Sequence, residues 1–444
     1  MLRHAMDDLV LWKDRPDRKP LLLRGARQVG KTWLMREFGR LYFDKTAYIN
    51  FDDNERMSAL FKGDLNISRL ITALQIEAGV TITPSDTLLI FDEIQEVPRA
   101  LTSLKYFNEN APEYAIIAAG SLLGVALHPG TSFPVGKVEF LDLYPMSFSE
   151  FLDSVENKGI AELIGAKQPD FGMITAFKGR FIDALKYYYY VGGMPEAVAA
   201  FAKERDFAEV RRIQKRILEA YSQDFSKHAP NEAVPRIHAL FNSIPAQLAR
   251  ENRKFIYGLV REGARAREYE LAMQWLLDCG LIHKVNCVTK PDMPLLAYAD
   301  QGAFKLYMLD VGLLSALSDL DVKSILEGNR VFQEFKGALT EQYVLQQILS
   351  DCKLKPHYWA SDSGAAEVDF VYQNGSDIIP LEVKAEENLK AKSLKVYVDK
   401  YKPQYALRTS MSDYRAESWL INMPLYAISL VSRLPANSSA EEKP

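Results

Sequence analysis

A short apolar run, Leu21-Leu22-Leu23, leads straight into Gly25-Ala26-Arg27-Gln28-Val29-Gly30-Lys31-Thr32, and a helical pattern continues from Thr32 to Tyr42. The eight residues match G-x-x-x-x-G-K-[ST] in the context that pattern requires, after a strand and at the opening of a helix. Glycines let the chain wrap tightly enough for successive N–H groups to face one phosphate, and the helix N-terminus adds its positive dipole end. Gly25, Ala26, Arg27, Gln28, Val29, Gly30, Lys31 and Thr32 are therefore expected to bind ATP. Lys31 would reach the β and γ phosphates, and the Thr32 hydroxyl would coordinate magnesium. Few other features bind a chain so firmly to an α/β fold built on a parallel sheet.

A second apolar strand, Leu88-Leu89-Ile90-Phe91, ends in Asp92-Glu93. Carboxylates at the carboxyl edge of an open α/β sheet stand where such folds bind ligands. Asp92 is expected to hold the magnesium, and Glu93 to polarise the attacking water. Alone, the pair reads as a solvated loop start, and its meaning comes from the phosphate-binding loop upstream. Ser121 follows the strand Ala115–Ala119 and is either a sensor of the γ-phosphate or a turn-forming serine.

Five strands are expected between Pro20 and Leu152, namely Leu21–Leu23, Ala47–Phe51, Leu88–Phe91, Ala115–Ala119 and Val138–Leu141, with helices between them. Near-continuous apolar runs suit strands covered on both faces. Helices dominate from Ser149 to about Tyr221, with a turn signal at Gly192-Gly193-Met194-Pro195. The run Tyr187 to Tyr190 either packs into a core or stacks on bases. Ala233 to Val288 has the outline of a winged helix, helices stopped at Gly280 and followed by a strand. There Arg250, Arg253, Lys254, Arg261, Arg265 and Arg267 outnumber Glu251, Glu262 and Glu268, as either a solvated charged face or a nucleic-acid footprint. A further α/β segment begins near Asn329, and the Ser-, Glu- and Pro-containing tail from Pro435 to Pro444 reads as disordered.

These phrases together resemble AAA-type ATPases, and more narrowly a prokaryotic group in which an AAA module precedes a winged helix and a C-terminal domain of unknown function like a PD-(D/E)XK nuclease. The resemblance rests on Arg24 to Thr32, on Leu143-Tyr144-Pro145-Met146-Ser147-Phe148-Ser149-Glu150-Phe151, on Gly192-Gly193-Met194-Pro195-Glu196 and on Phe304-Lys305-Leu306-Tyr307-Met308-Leu309-Asp310-Val311-Gly312. It implies a sheet whose fourth strand lies between the phosphate-loop strand and the Asp92 strand. It also implies five segments: an ATPase core over 1–155, a helical lid over 156–230, a winged-helix-like part over 231–325, a restriction-endonuclease-like α/β domain over 326–434 and a tail over 435–444. The chain departs from the group at Gly136-Lys137, where Gly-Arg is usual, so an arginine finger at that place is in doubt.

Near the C-terminus, Glu367-Val368-Asp369 and Leu381-Glu382-Val383-Lys384 form a D…E-x-K pattern. Glu382 and Lys384 are two apart on a strand and share a face, so Asp369 on a neighbouring strand can meet them. Asp369 and Glu382 are expected metal ligands with Glu341 as an accessory acid, and Lys384 would orient a water for attack on a phosphodiester. A plain strand hairpin with an exposed Glu and Lys gives the same pattern.

The net charge of -4 gives no global attraction to nucleic acid, so any basic surface must be local. Cys279, Cys287 and Cys352 show no zinc or disulfide spacing, and the N-terminal residues lack the apolar core of a signal peptide. The longest apolar stretch, Tyr114 to Leu127, is too short to span a bilayer. A cytoplasmic, magnesium-dependent ATP hydrolase without membrane contact is expected. Its C-terminal half would face DNA or RNA, with or without cleavage, and in the alternative ATP switches a scaffold that docks a protein partner.

Overall fold

Thr87–Asp92 is buried along its whole length, as is Ala115–Ala119, because parallel neighbours flank both strands and helices cover them. A computed structural model of the chain describes residues 2–120, 133–155, 159–250, 253–328, 333–361, 364–386 and 391–434. The chain divides into two compact units. One comprises Leu2–Tyr144 with Asp278–Leu281, and the other Pro145–Leu277 with the residues from Ile282 onward.

The first unit carries β1 (Leu21–Arg24), β2 (Lys45–Asn50), β3 (Thr87–Asp92), β4 (Ala115–Ala119) and β5 (Glu139–Asp142), all parallel in the order β2-β3-β4-β1-β5. The fourth strand thus lies between the first and third, as the resemblance implies. Its helices are α1 (Ala5–Asp14), α2 (Lys31–Tyr42), α3 (Glu55–Lys62), α4 (Ile67–Ala78) and α5 (Pro98–Asn110). Apolar residues three and four apart on α2, Leu34, Met35 and Phe38, turn its buried stripe inward and leave the helix's first turn at the sheet's carboxyl edge. Phe51, Phe61, Phe91 and Phe107 pack edge to face within a core that also takes in Leu22, Leu89 and Leu104.

The expected core boundary at 155 differs from the break at Tyr144. The helix Phe148–Val155 belongs to the second unit, where Phe148 meets the Tyr188 ring at 5.6 Å and Phe151 meets Phe201 at 6.1 Å. Tyr188, Tyr189 and Tyr190 are buried, which favours the core-packing alternative for the tyrosine run over base stacking.

Among its described residues the second unit is mainly helical from Phe148 to Leu277 and then builds an eight-stranded sheet. Its strands are β6 (Ile282–Val288), β7 (Ala299–Met308), β8 (His357–Ala360), β9 (Glu367–Asn374), β10 (Asp377–Val383), β11 (Ala406–Ser410), β12 (Arg415–Ala416) and β13 (Leu420–Pro424), in the order β12-β13-β11-β10-β9-β8-β6-β7. The strand expected to close the winged-helix-like part is β6, which pairs with β7 and continues this sheet through parallel pairing of Cys287 with Tyr358 and Val288 with Trp359. A boundary at 325/326 therefore cuts through one sheet.

Three of the phrases behind the resemblance meet inside this unit. Gly193 N donates to Asp310 Oδ2 at 2.6 Å, and Met146 N donates to Gly193 O at 2.7 Å. A Cβ on Gly193 would come within 2.0 Å of Met146 O, so only glycine permits this approach. Gln346 Nε2 donates to Asp310 Oδ2 at 3.0 Å, Leu313 N donates to Oδ1 at 3.0 Å, and Phe148 N donates to Gln347 Oε1 at 2.7 Å. These phrases therefore satisfy buried backbone groups.

Candidate functional site

The loop of the first unit is wound by positive φ angles at Gly25 (148°), Gln28 (67°) and Gly30 (94°), and Gly30 opens α2. A Cβ at Gly25 would lie 2.2 Å from Leu143 O, which restricts that position to glycine. Arg3, itself buried, braces the loop by donating from Nη1 to Val29 O at 2.8 Å and from Nη2 to Tyr144 O at 2.7 Å.

Lys31 lies in the first turn of α2 and donates from Nζ to Gly25 O at 2.8 Å and Ala26 O at 2.7 Å. Burial lowers its ammonium to about 8, against the pull of Glu93 and Asp92. A buried ammonium held by loop carbonyls can still gain by meeting a phosphate. Thr32 Oγ1 donates to Asp92 Oδ2 at 2.8 Å, so the helix start and the end of β3 touch. A hydroxyl beside a buried carboxylate is a hard-oxygen set that fits magnesium.

Glu93 follows with φ 50°, a conformation that costs a residue with a side chain, and Gln95 Nε2 donates to its Oε2 at 2.6 Å. Ser121 lies outside the described residues. Lys137, where the resemblance implies arginine, pairs with Glu109 at 2.9 Å.

Tyr48 is a site residue that the sequence pattern did not single out. Its hydroxyl donates to the same Asp92 Oδ2 at 2.8 Å, and the Arg36 guanidinium lies 3.9 Å from the centre of its ring. Burial, then the Asp92 hydrogen bond, raises the phenol to about 12. The available signal was register. Parallel pairing sets Asn50 opposite Asp92, so Tyr48, two residues earlier, lies on the same face of β2 as Asn50.

In the second unit the expected acids do come together. His357 pairs with Val371 and Trp359 with Val368, so β9 carries a bulge spanning Asp369. Asp369 Oδ2 accepts from Val383 N at 2.7 Å, and Lys384 Nζ contacts Glu382 Oε1 at 2.6 Å. Glu341 faces both, but not as an open ligand. Its Oε1 is paired with Arg253, and its Oε2 accepts from Tyr307 Oη at 3.1 Å with Lys305 Nζ at 3.9 Å. Lys305, with none of its side chain exposed, also lies 2.5 Å from Glu367 Oε1.

Burial pushes the Asp369 acid well above the usual carboxylate range, helped by the charges of Glu341 and Glu382. Burial acts the same way on Glu341, yet Arg253 and Lys305 outweigh it and hold that acid low. Among the described residues no group of three or more His, Cys, Asp or Glu is arranged to hold a metal ion. The expected acids Asp369, Glu382 and Glu341 are thus brought together with the oxygens of Glu341 already engaged by cations and a phenol. Arg253, Lys305 and Tyr307 were not singled out. A lysine inside the apolar run Phe304 to Leu309 was the sequence signal for one of them.

Of the expected basic surface, Arg253 is thus drawn inward, whereas Arg250, Arg261, Arg265 and Arg267 are exposed. No helix among the described residues is long and apolar enough to cross a membrane.

Comparison with known families agrees with the first unit's geometry. Residues 17–152 match a family described as AAA domain, which supports a P-loop domain of the AAA type in this segment. Residues 182–324 match a domain of unknown function (DUF8612), and residues 336–427 match another (DUF4143). No curated protein matches the chain. Among solved structures, the Walker-type ATPase paby2304 of Pyrococcus abyssi is 14% identical, covers 71% of this chain and 95% of its own, and superposes with a TM-score of 0.43. The ORC1 protein of Aeropyrum pernix, solved in complex with DNA, is 14% identical over 72% of this chain and 93% of its own at a TM-score of 0.27. The Thermotoga maritima RuvB Holliday junction branch migration motor is 14% identical over 63% and 85% at a TM-score of 0.26.

Proposed function

We propose that the first unit binds ATP with magnesium and hydrolyses it. The observation that carries this is the contact between Thr32 Oγ1 and Asp92 Oδ2, 2.8 Å apart, at the start of the helix that Lys31 opens. Magnesium, when bound, neutralises charge on the β and γ phosphates and is held by Thr32 and Asp92. The backbone N–H groups from Gly25 to Thr32 cradle the phosphates, and the Lys31 ammonium leaves the loop carbonyls to meet them. Glu93 accepts a proton from the attacking water as its oxygen bonds to the γ-phosphorus and the bond to the β–γ bridging oxygen breaks.

For the C-terminal part, the order helix, β8, β9, β10, helix, β11, with Asp369 on the second of these strands and Glu382 on the third, supports a restriction-endonuclease-like fold. Its role is contact with nucleic acid, to which the hydrolysis cycle is coupled. The exposed Arg261, Arg265 and Arg267 support this, in a segment for which a winged-helix reading remains part of the proposal.

ATP binding measured calorimetrically on wild type and Lys31→Ala tests the first part. Micromolar binding by wild type and none by the variant is expected, whereas equal affinity would remove the assignment.

A further inference from the structure

The acid cluster of the second unit is supplied by one family-matched segment and neutralised by another. Glu341, Glu367, Asp369 and Glu382 all lie within residues 336–427, whereas Arg253 and Lys305 lie within residues 182–324. Lys384 is a local cation whose ammonium is 2.6 Å from Glu382 Oε1, and Arg408 lies opposite Glu382 on β11 with its Nε donating to Asn422 Oδ1 at 3.0 Å.

A divalent ion bound by carboxylates needs several open oxygen acceptors at short range. Here both oxygens of Glu341 are engaged, by Arg253 on one side and by Tyr307 and Lys305 on the other. Asp369 Oδ2 is engaged by the Val383 amide, Glu367 Oε1 by Lys305 and Glu382 Oε1 by Lys384. Glu382 Oε2 is buried without a hydrogen-bond partner among the described residues, and one such oxygen does not make a magnesium site.

A fully buried lysine is otherwise hard to account for, since an ammonium taken out of water is costly unless opposite charges surround it. Lys305 has that surrounding, with Glu367 at 2.5 Å and Glu341 at 3.9 Å. The raised proton affinity of Asp369 agrees with a cluster already balanced by ammonium and guanidinium groups, with one proton left over.

We propose that Lys305 and Arg253 are the resident cations of the C-terminal acid cluster, delivered in cis by the preceding segment, and that they close it to divalent metal ions. The D…E-x-K arrangement is then a clamp that joins the hairpin β6–β7 and the Arg253 loop to β9 and β10. The proposal does not depend on the nucleotide assignment.

The test uses the full chain without nucleotide. Manganese binding is titrated by electron paramagnetic resonance for wild type and for the double variant Asp369→Asn/Glu382→Gln. Superimposable titrations are expected, and a manganese ion held by wild type but lost in the double variant would overturn the proposal. A thermal double-mutant cycle supplies the second reading. Lys305→Met is expected to lower Tm by roughly 5–10 °C, and adding Glu367→Gln to it should recover part of that loss because the carboxylate left without its ammonium is removed. Independent, additive losses would count against the clamp. Should Lys305→Met fail to fold, Arg253→Gln with Glu341→Gln runs the same cycle, since Arg253 is partly exposed and Lys305 stays in place.

Discussion

Tyr48 on β2 donates its hydroxyl to Asp92 Oδ2 at 2.8 Å, on the same oxygen and at the same distance as Thr32 Oγ1. Two donors from different elements thus fix the rotamer of a carboxylate that is itself buried at the end of β3. Were the Thr32 oxygen to hold magnesium as proposed, Tyr48 would be the group that keeps Asp92 aimed.

Tyr48→Phe is therefore expected to raise the magnesium concentration needed for half-maximal hydrolysis by about tenfold. That is the low end of what a hydrogen bond to a charged group contributes, about 1.5–3 kcal/mol, because Asp92 keeps its backbone support. ATP affinity without magnesium should not change. An unaltered magnesium dependence in steady-state assays would show that Tyr48 only fills space.

Glu93→Gln is expected to bind MgATP as wild type does while turnover falls by about 10²–10⁴-fold, because the amide fits the same place and cannot take a proton. Gln95 should hold the new side chain as it holds the carboxylate, since an amide oxygen also accepts from Nε2. Single-turnover quench measurements separate this from a binding defect. Hydrolysis at the wild-type rate would leave Glu93 without a chemical role.

The strands, the loop and Asp92-Glu93 were legible because their signals are local: apolar runs, glycine spacing and a helix pattern that follows. Strand order in the first sheet came from resemblance, not from periodicity, since nothing in Ala115–Ala119 itself names its neighbours. The place of β6 in the C-terminal sheet was missed for the same reason, because its parallel pairing to β8 joins Cys287 to Tyr358 across β7 and the helices that follow it and leaves no local mark. Asp369, Glu382 and Lys384 were readable as a pattern. Their partners Arg253 and Lys305 were not, because a cation's value depends on what faces it, and the facing acids are distant in sequence.

Asp310 accepts from Gly193 N, Leu313 N and Gln346 Nε2, and burial raises its acid while these donors oppose the shift. Asp310→Asn would turn an amide NH2 toward at least one of those N–H groups. A loss of about 2–4 kcal/mol in the second unit is expected, from one buried bond broken and one donor left unpaired. Urea unfolding followed by tryptophan fluorescence checks it, and an unchanged midpoint would mean that the junction tolerates rearrangement. ATP binding to the first unit should be retained.

The last prediction separates two groups of arginines that looked alike in the sequence. Arg261, Arg265 and Arg267 are exposed, and Arg265 N donates to Glu268 Oε2 at 3.1 Å, which leaves its guanidinium out of that bond. Arg253 is largely buried against Glu341. If the exposed three lie along a nucleic-acid path, each phosphate contact removed should reduce the slope of log K against log salt by about 0.9 for duplex DNA and about 0.7 for single strands. Changing all three to glutamine should therefore weaken binding to every sequence alike and flatten the salt dependence, with Tm nearly unchanged because exposed cations contribute little to stability. Arg253→Gln should do the reverse, lowering Tm while leaving the salt slope as it was. Fluorescence anisotropy on labelled duplex and single strands at several salt concentrations, run beside thermal melts, reads both effects. A wild-type chain that binds neither strand type at low salt would make these arginines a solvated face, and a salt slope that responds to Arg253→Gln would place that residue outside the acid cluster in solution.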